Sequence, residues 1–222
     1  VLRWDVGHLL TTHTEPSRPE QIDVAPERIL HGHNGSIWSL TCSPNDELLV
    51  SSDTTGVSIL WDLADGTRLN TASGQPGWFA AHAFVAVKGR KHPYRYLLAT
   101  VGTNQHVHIW GIDRRAGVLQ RSLHRTLSAF SATQDTCTFM PDGRFLLSAG
   151  ADRAIHVWDM ACGRHVKVAA TDRFWITKVA LSDDVRRLAW GNAGGGLWLA
   201  NVQPSAADPV GATESFSLEP PI

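Results

Sequence analysis

The sequence predicts an all-β protein built from a repeated unit of four short antiparallel strands. Three runs of alternating apolar residues end in Trp-Asp, and a fourth run ends in Trp110-Gly111, where the Asp is lost. The closing tryptophans, Trp4, Trp61, Trp110 and Trp158, follow one another at intervals of 57, 49 and 48 residues. A period of roughly 40–50 residues is typical of arrays in which each repeat is one supersecondary unit.

The third unit shows the pattern most clearly. Its β-prone runs cover 137–140, 144–148, 154–158 and 165–169. Turn-forming segments separate these runs, namely Pro141-Asp142-Gly143, Gly150-Ala151-Asp152-Arg153 and Cys162-Gly163. Clusters of Gly, Pro and Asp between short β-prone runs indicate hairpin turns. Four short antiparallel strands in one period form one blade of a β-propeller.

The first unit carries a further set of markers. They are His31-Gly32-His33, Ser43-Pro44-Asn45-Asp46 and Trp61-Asp62. This set is similar to the Gly-His opening, the Ser-Pro-Asp-Gly turn and the Trp-Asp closure of WD-repeat β-propellers, and the resemblance spans residues 2–202. It implies blades that belong to a ring of seven, and a protein that binds partners rather than catalysing a reaction.

The resemblance also implies a hydrogen-bonded network of Trp, Ser or Thr, His and Asp inside each blade, since buried polar groups are costly when unpaired. The matching positions are His33, Ser51 and Trp61, then Thr100, Asn104 and Trp110, and finally Ser148, Asp152 and Trp158. Each set is incomplete. Thr55 holds the Asp position of the first unit, with Asp53 two residues early; the second unit has no clear His; and Phe130 lies near the His position of the third.

The repeats divide the chain into successive segments. Residues 1–30 end a preceding blade and contain a Pro-containing loop insert at 7–27, and residues 204–222 form a linker or a final edge strand. Four units lie between them, at 31–76, 77–127, 128–170 and 171–203. In the last unit Ala200-Asn201 replaces Trp-Asp, so we expect that blade to be present but looser than the others.

Four blades and a remnant are too few for the expected ring of seven. An open ring is unfavourable because it exposes sheet edges and apolar faces. Three explanations are open. The rest of the ring lies in further sequence, which a start at Val1 within a repeat favours; a partner chain completes the ring; or the chain forms a small or partial ring.

Composition narrows the partners. The 20 Lys and Arg residues nearly balance 21 Asp and Glu residues, so there is no electrostatic reason to expect nucleic acid or an anionic membrane. For the basic residues within 88–95 we favour a solvated hairpin loop over a local basic patch. Three cysteines without a CxxC spacing indicate reduced thiols of an intracellular protein, cytoplasmic or nuclear. No signal peptide and no run of about 18 apolar residues is visible.

The sequence offers little chemistry. It contains no nucleophile elbow, phosphate-binding loop or zinc-protease motif, so we expect no enzyme activity, no catalytic residue and no cofactor. His106 and His108 alternate along one strand face, but without a third ligand nearby we favour a solvent-facing or interblade role over a metal site. The run 194–196 lacks the helix and Lys of a phosphate cradle, which favours a hairpin turn.

Aromatic residues suggest where a partner binds. In propellers, the loops that enter each blade and the loops between its second and third strands share one rim. The candidate rim residues are Trp38, Trp78, Phe79, Phe130, Gln134, Asp135, Arg173, Phe174 and Trp175. Aromatic side chains with polar neighbours suit a peptide-binding surface. Interblade packing is the alternative for each ring.

These observations predict a non-enzymatic scaffold that presents rim loops to protein or peptide partners in a multiprotein complex. The alternative is a ligand-sensing or regulatory module of a larger enzyme, whose kinase, protease or NTPase part is not in this chain. Because function resides in surfaces grafted on a fold, the fold alone does not choose between them.

Overall fold

The computed structural model describes residues 2–3, 27–72, 77, 79–87, 93–115, 118–128, 132–205 and 215–218. Within these ranges the chain forms eighteen β-strands and no helix, which makes the fold all-β. It follows that the described part of the chain contains no long apolar helix of the kind that crosses a membrane. Trp4-Asp5, most of the 7–27 insert, and three of the four basic residues within 88–95 lie outside the described residues.

The strands form one two-stranded sheet and four four-stranded sheets, all antiparallel. β1 (Leu2–Arg3) pairs with β2 (Arg28–Ile29). Sheet I contains β3 (Ile37–Cys42), β4 (Leu48–Asp53), β5 (Ser58–Asp62) and β6 (Arg68–Ala72). Sheet II contains β7 (Phe79–Ala86), β8 (Tyr96–Gly102), β9 (Val107–Arg115) and β10 (Val118–Leu127). Each sheet is a meander in which neighbours in sequence are neighbours in space.

Sheets III and IV repeat this order. Sheet III contains β11 (Gln134–Phe139), β12 (Phe145–Gly150), β13 (Ala154–Asp159) and β14 (Arg164–Thr171). Sheet IV contains β15 (Ile176–Leu181), β16 (Arg187–Asn192), β17 (Leu197–Ser205) and β18 (Ser215–Leu218). The segment 215–218 is therefore an edge strand of sheet IV, paired with 202–205 of β17.

One register irregularity recurs in all four sheets and aligns them residue by residue. The first and third residues of each first strand pair with consecutive residues of the second strand, so the residue between them is bulged. The first residues are Ile37, Phe79, Gln134 and Ile176. A β-bulge re-aims the side chains around it. These four residues, and those at equal distances along the strands, are equivalent positions.

The Asp of Trp-Asp organises a turn. Asp62 Oδ1 accepts a hydrogen bond from the Ala64 N–H at 2.9 Å, and Asp159 Oδ1 accepts one from the Ala161 N–H at 2.8 Å. In sheet II the strand does not turn after Trp110 but continues to Arg115. The ring of Tyr94 occupies the space that a side chain at Gly111 would need. The missing Asp therefore reflects a longer hairpin and a close contact.

The hydrophobic core lies between successive sheets. Separate clusters of buried apolar residues fill the interfaces of sheets I and II, II and III, and III and IV. Polar contacts repeat across two of these interfaces. Ser39 Oγ lies 3.0 Å from His82 Nδ1, and the equivalent Thr136 Oγ1 accepts a hydrogen bond from the Val179 N–H at 3.3 Å. The sheets thus stack face to face with one shared geometry.

Each outer face of the stack has exposed apolar residues, although Leu30 packs with Leu49, Ile59 and Trp61 on the outer face of sheet I. Leu40 on sheet I is 53% exposed, whereas its equivalents on the other sheets are buried. On sheet IV, Leu197 and Leu199 are 82% and 57% exposed, whereas Ile155 and Val157, their equivalents on sheet III, are fully buried. A side chain of this size gains about 1.5–3 kcal/mol on full burial. Both faces therefore have the composition of interblade surfaces.

Candidate functional site

Sheet I contains a continuous chain of buried hydrogen bonds. The Trp61 indole N–H donates to Ser51 Oγ at 2.7 Å, and Ser51 Oγ lies 2.6 Å from His33 Nε2. His33 Nδ1 lies 2.8 Å from Asp53 Oδ2. With a neutral imidazole, every group in this chain donates to the next one. The carboxylate that completes the chain is thus Asp53, which stands two residues before Thr55, the position where the sequence pattern places the Asp.

The Asp53 carboxylate is strongly stabilised in its charged form. Burial alone would raise its pKa, but hydrogen bonds from Thr55, His33 and the backbone N–H of Val57 outweigh burial and lower the pKa. Thr55 donates both its hydroxyl, at 2.6 Å, and its backbone N–H, at 2.9 Å, to Asp53 Oδ1. The expected Asp position is therefore occupied by a residue that supports Asp53.

In sheets II and III a histidine lies on the third strand, whereas in sheet I it precedes the first strand. His108 and His156 stand two residues before the closing tryptophans, on the third strand of each sheet, opposite Thr100 and Ser148. The indole N–H groups of Trp110 and Trp158 donate to these two hydroxyl groups at 3.0 and 3.1 Å. The sequence analysis named neither histidine; it placed the gap in the network of sheet III near Phe130, which lies outside the described residues.

The partner residue sets the tautomer of each imidazole. The Asn104 amide donates to His108 Nε2 at 2.9 Å, whereas Asp152, at the equivalent position, accepts from His156 Nε2 at 2.9 Å. His108 Nδ1 then donates to Thr126 Oγ1 at 3.2 Å. His108 and His156, at equivalent positions, are thus different tautomers, because the amide nitrogen of Asn104 donates and the carboxylate of Asp152 accepts.

Sheet III extends its network to the edge strand. His156 Nδ1 lies 3.0 Å from Nε2 of His165, whose ring lies 5.0 Å from the Trp158 ring. The Gln134 amide donates to Asp152 Oδ2 at 2.7 Å. Burial opposes ionisation of Asp152, but the hydrogen bond and charge of His156 outweigh it and lower the carboxyl pKa.

Sheet IV builds a different network on Asp172. This residue precedes Ile176 by four positions, as His33 precedes Ile37. Asp172 accepts from the Trp190 indole at 3.2 Å and from the Asn192 amide at 2.9 and 3.0 Å. Burial would raise the Asp172 pKa, but the Asn192 hydrogen bond leads the effects that lower it. The last sheet has therefore exchanged the histidine chain for a carboxylate–amide pair.

The rim is the set of segments that enter each first strand together with the turns after each second strand. One backbone hydrogen bond joins the two parts in three sheets. It runs from the Thr54 N–H to Ser36 at 3.0 Å, from the Ala151 N–H to Thr133 at 2.9 Å, and from the Ala193 N–H to Trp175 at 2.8 Å. Because the networks and these bonds fix the same segments, the rim has a defined shape.

Phe174 and Trp175 form an exposed aromatic ledge on the rim of sheet IV, each 45% exposed. The Trp175 indole N–H donates to Asp135 Oδ2 at 2.5 Å, across the interface with sheet III. Burial raises the pKa of Asp135, against the opposing effect of this hydrogen bond. The ring of Phe174 packs directly on Gly194, and the Arg173 guanidinium lies 5.7 Å from its centre. Both aromatic rings are thus held in place before any partner arrives.

The other candidate rim residues lie elsewhere. Phe79 and Gln134 are buried, so their side chains are interblade and network residues rather than contact residues. Trp38, at the bulge of β3, is 61% exposed. Trp78 and Phe130 fall outside the described residues. The exposed set is therefore Trp38, Arg173, Phe174 and Trp175, with Asp135 as a half-buried support.

The comparisons with known proteins agree with this geometry. The family model of the WD domain, G-beta repeat, matches residues 25–62 and 122–159. These two segments are WD repeats. Each matched segment ends at a Trp-Asp pair. The first contains β2 and the first three strands of sheet I, and the second contains part of β10 and the first three strands of sheet III. A WD repeat is thus offset by one strand from a sheet of the structure.

Two ribosomal proteins carry similar WD-repeat sequences. The small ribosomal subunit protein RACK1 of Drosophila melanogaster is 28% identical over 138 residues, which are 61% of this chain and 41% of that protein. The small ribosomal subunit protein RACK1y of Oryza sativa subsp. japonica is 27% identical over 135 residues, which are 60% and 37%. The chain spans about two fifths of the length of these relatives.

The remaining polar candidates have structural partners close by in the chain. His106 Nδ1 lies 3.1 Å from Ser128 Oγ. Asn192 Oδ1 accepts the N–H groups of Gly194 and Gly196 at 3.0 and 2.8 Å, so these amides are directed into the turn. Burial raises the pKa of the Cys137 thiol to about 12. Among the described residues, no three His, Cys, Asp or Glu side chains are grouped as metal ligands.

Proposed function

We propose that this WD-repeat protein is a non-enzymatic scaffold that binds protein or peptide partners on its rim. The observation that carries the proposal is the ledge of Phe174 and Trp175, whose rings are exposed yet fixed by Gly194 and Asp135. Large aromatic side chains are the residues that most often dominate binding energy at interfaces. A ledge held rigid before binding loses little conformational freedom when a partner docks.

The relatives support a place in a multiprotein assembly. Both are described as proteins of the small ribosomal subunit, which is itself such an assembly. We propose by this likeness that the chain acts inside the cell, in the cytoplasm or nucleus, and within a protein complex. Its partners are proteins rather than nucleic acid or membrane lipid, because positive and negative charges nearly balance.

We further propose that additional sheets cover both outer faces of the stack and complete a ring. Leu40 and Cys42 on one face and Leu197 and Leu199 on the other are exposed at positions of interblade type. Thiol alkylation of the full-length protein tests this directly. Cys42 should react slowly if a sheet covers it, while Cys162, exposed in a turn of sheet III, should react rapidly. Equal rates at the two thiols would contradict ring closure on that side.

An affinity pull-down tests the binding proposal. The full-length protein is compared with a variant carrying Trp38→Ala and Trp175→Ala, which should lose its partners while its circular dichroism spectrum stays unchanged. The matched control carries Leu123→Ala and Val166→Ala, which remove similarly exposed apolar side chains from the outer strands β10 and β14. The control should retain every partner. Unfolding of the tryptophan variant would show that its rings are core residues, and the rim assignment would fail.

A further inference from the structure

The carboxylates around the aromatic ledge are all engaged by side chains of the chain itself. Asp135 accepts from the Trp175 indole, and Asp172 accepts from Trp190 and Asn192. Asp152, on the neighbouring turn of sheet III, accepts from Gln134 and lies 2.9 Å from His156 Nε2. Their negative charge is therefore directed into the networks rather than toward a ligand.

The cations of the same corner point outward. Arg153 and Arg173 are exposed, and no ion pair within the described ranges involves either of them. A backbone hydrogen bond from the Asp172 N–H to the Arg153 carbonyl, at 2.8 Å, joins the two segments that carry these side chains. Lys178 on β15 is a third exposed cation, and its charge acts on Asp135.

Arg173 combines a positive charge with a position close to the aromatic ring of Phe174. Its guanidinium lies 5.7 Å from the centre of the Phe174 ring. A guanidinium that stacks on an aromatic face still has N–H groups along its edge, and these match the two oxygens of a carboxylate. Charge-assisted pairs of this kind are stronger than neutral hydrogen bonds.

We propose that the corner formed by Arg153, Arg173, Phe174 and Trp175 binds an acidic segment of a partner protein. Carboxylates of the segment pair with the two guanidinium groups, and a neighbouring apolar side chain packs on the aromatic ledge. This inference rests on the proposed binding function and adds the chemistry of the partner. A basic segment is disfavoured, because it would meet two guanidinium groups while the nearby carboxylates are engaged.

Fluorescence anisotropy with three labelled peptides tests the proposal on the full-length protein. The first peptide alternates Glu with Phe, the second replaces each Glu by Gln, and the third replaces each Glu by Lys. The Glu peptide should bind about tenfold more tightly than the Gln peptide, and the Lys peptide should bind most weakly. Raising the salt concentration should narrow these differences, because it screens exposed charges. Equal affinity for the Glu and Gln peptides would overturn the proposal.

Charge-reversal variants locate the site. Arg173→Glu and Arg153→Glu should each weaken binding of the Glu peptide several-fold, while Arg173→Lys should retain part of it. Arg186→Glu is the matched control, since its side chain is 82% exposed in the turn at the opposite end of sheet IV. Equal loss in the control and the site variants would overturn the assignment. If the variants capture partners as the unaltered protein does while Trp175→Ala abolishes capture, the rim proposal stands and the acidic partner is excluded.

Discussion

His156 is hydrogen-bonded to Asp152, the residue four positions earlier: its Nε2 atom lies 2.9 Å from the carboxylate Oδ2. The same spacing joins His108 to Asn104 in sheet II. In sheet I the imidazole comes instead from His33, ahead of the first strand, and Ile59 occupies the position of His108 and His156. The imidazole thus occupies two different chain positions, whereas the bond from the Trp indole to a Ser or Thr hydroxyl is common to all three sheets. Polar satisfaction, rather than one fixed residue, is what the fold requires.

Removal of Asp152 should destabilise the protein. Asp152→Ala leaves His156 and the buried amide of Gln134 without their acceptor, and unpaired buried groups cost about 1–3 kcal/mol each. We expect the free energy of unfolding, measured by urea denaturation, to fall by roughly 2–3 kcal/mol. Asp142→Ala is the control, because Asp142 lies in an exposed turn, where its carboxylate accepts from the Arg144 N–H. Similar losses for the two variants would contradict the role given to the network.

Stability should also depend on pH through His165. His165 is exposed, but neighbouring residues remove part of the water around its ring and lower its pKa, with a further decrease from the charge of His156; burial also lowers the pKa of His108. The unfolded chain therefore binds these protons more readily than the folded protein does. Stability is fully present above the ordinary histidine value of 6.5 and falls as pH decreases from there toward the lowered folded values.

Thermal unfolding at a series of pH values between about 7.5 and 5 measures this effect. His165→Asn should flatten the profile, although His108 keeps part of the slope. A profile identical to that of the unaltered protein would exclude His165 as a contributor.

The sequence predicted the repeated sheet but not every network partner. The regular spacing of the closing tryptophans and the Pro-Asp-Gly turn identify the strands of sheet III. Alternating apolar residues and turn-forming residues can be recognised within a few neighbouring positions of the sequence. The side-chain partners are not local in the same way. His33 and Ser51 are far apart in sequence, and only the folded sheet shows that Asp53, rather than Thr55, reaches the imidazole.

One signal for the relocated histidines was nevertheless present. Asn104 and Asp152 each precede a His by four residues, and that His precedes a Trp by two. Burial was harder to predict, because it depends on the neighbouring sheet. Phe79 and Gln134 begin their strands as Ile37 does, yet both are buried beneath the preceding sheet while Ile37 is partly exposed. The position of Trp175 likewise depends on a contact across sheets, its hydrogen bond to Asp135.

Restoring the Trp-Asp pair of the second unit should weaken the protein rather than stabilise it. The ring of Tyr94 fills the space above Gly111, so Gly111→Ala and Gly111→Asp both force that ring aside. Overpacking of this kind costs about 1–3 kcal/mol. Gly191→Ala on β16 is the matched control, since the nearest atom to its added carbon is 3.9 Å away. Urea denaturation should show a clear loss at Gly111 and a small change at Gly191.

A double variant decides whether Tyr94 is the cause. Combining Gly111→Ala with Tyr94→Ala removes the ring that the added methyl group meets. If the contact is responsible, the cost of Gly111→Ala in the Tyr94→Ala background should fall to near zero, which a double-mutant cycle measures. An unchanged cost would place the requirement for glycine in the strand backbone instead.

Acid should unfold the protein partly through Asp53. Hydrogen bonds from Thr55 and His33 hold the pKa of this buried carboxyl well below its ordinary value of 3.8, although burial alone would raise it. The folded state therefore releases the proton more readily than the unfolded chain, so the stabilisation is present above pH 3.8 and declines as pH falls below it. Asp53→Asn should be less stable than the unaltered protein at pH 7, yet should lose less stability between about pH 5 and 2. Urea denaturation at each pH measures both differences. Parallel curves would mean that the charge of Asp53 does not contribute, and that its hydrogen bonds to Thr55 and His33 act through geometry alone.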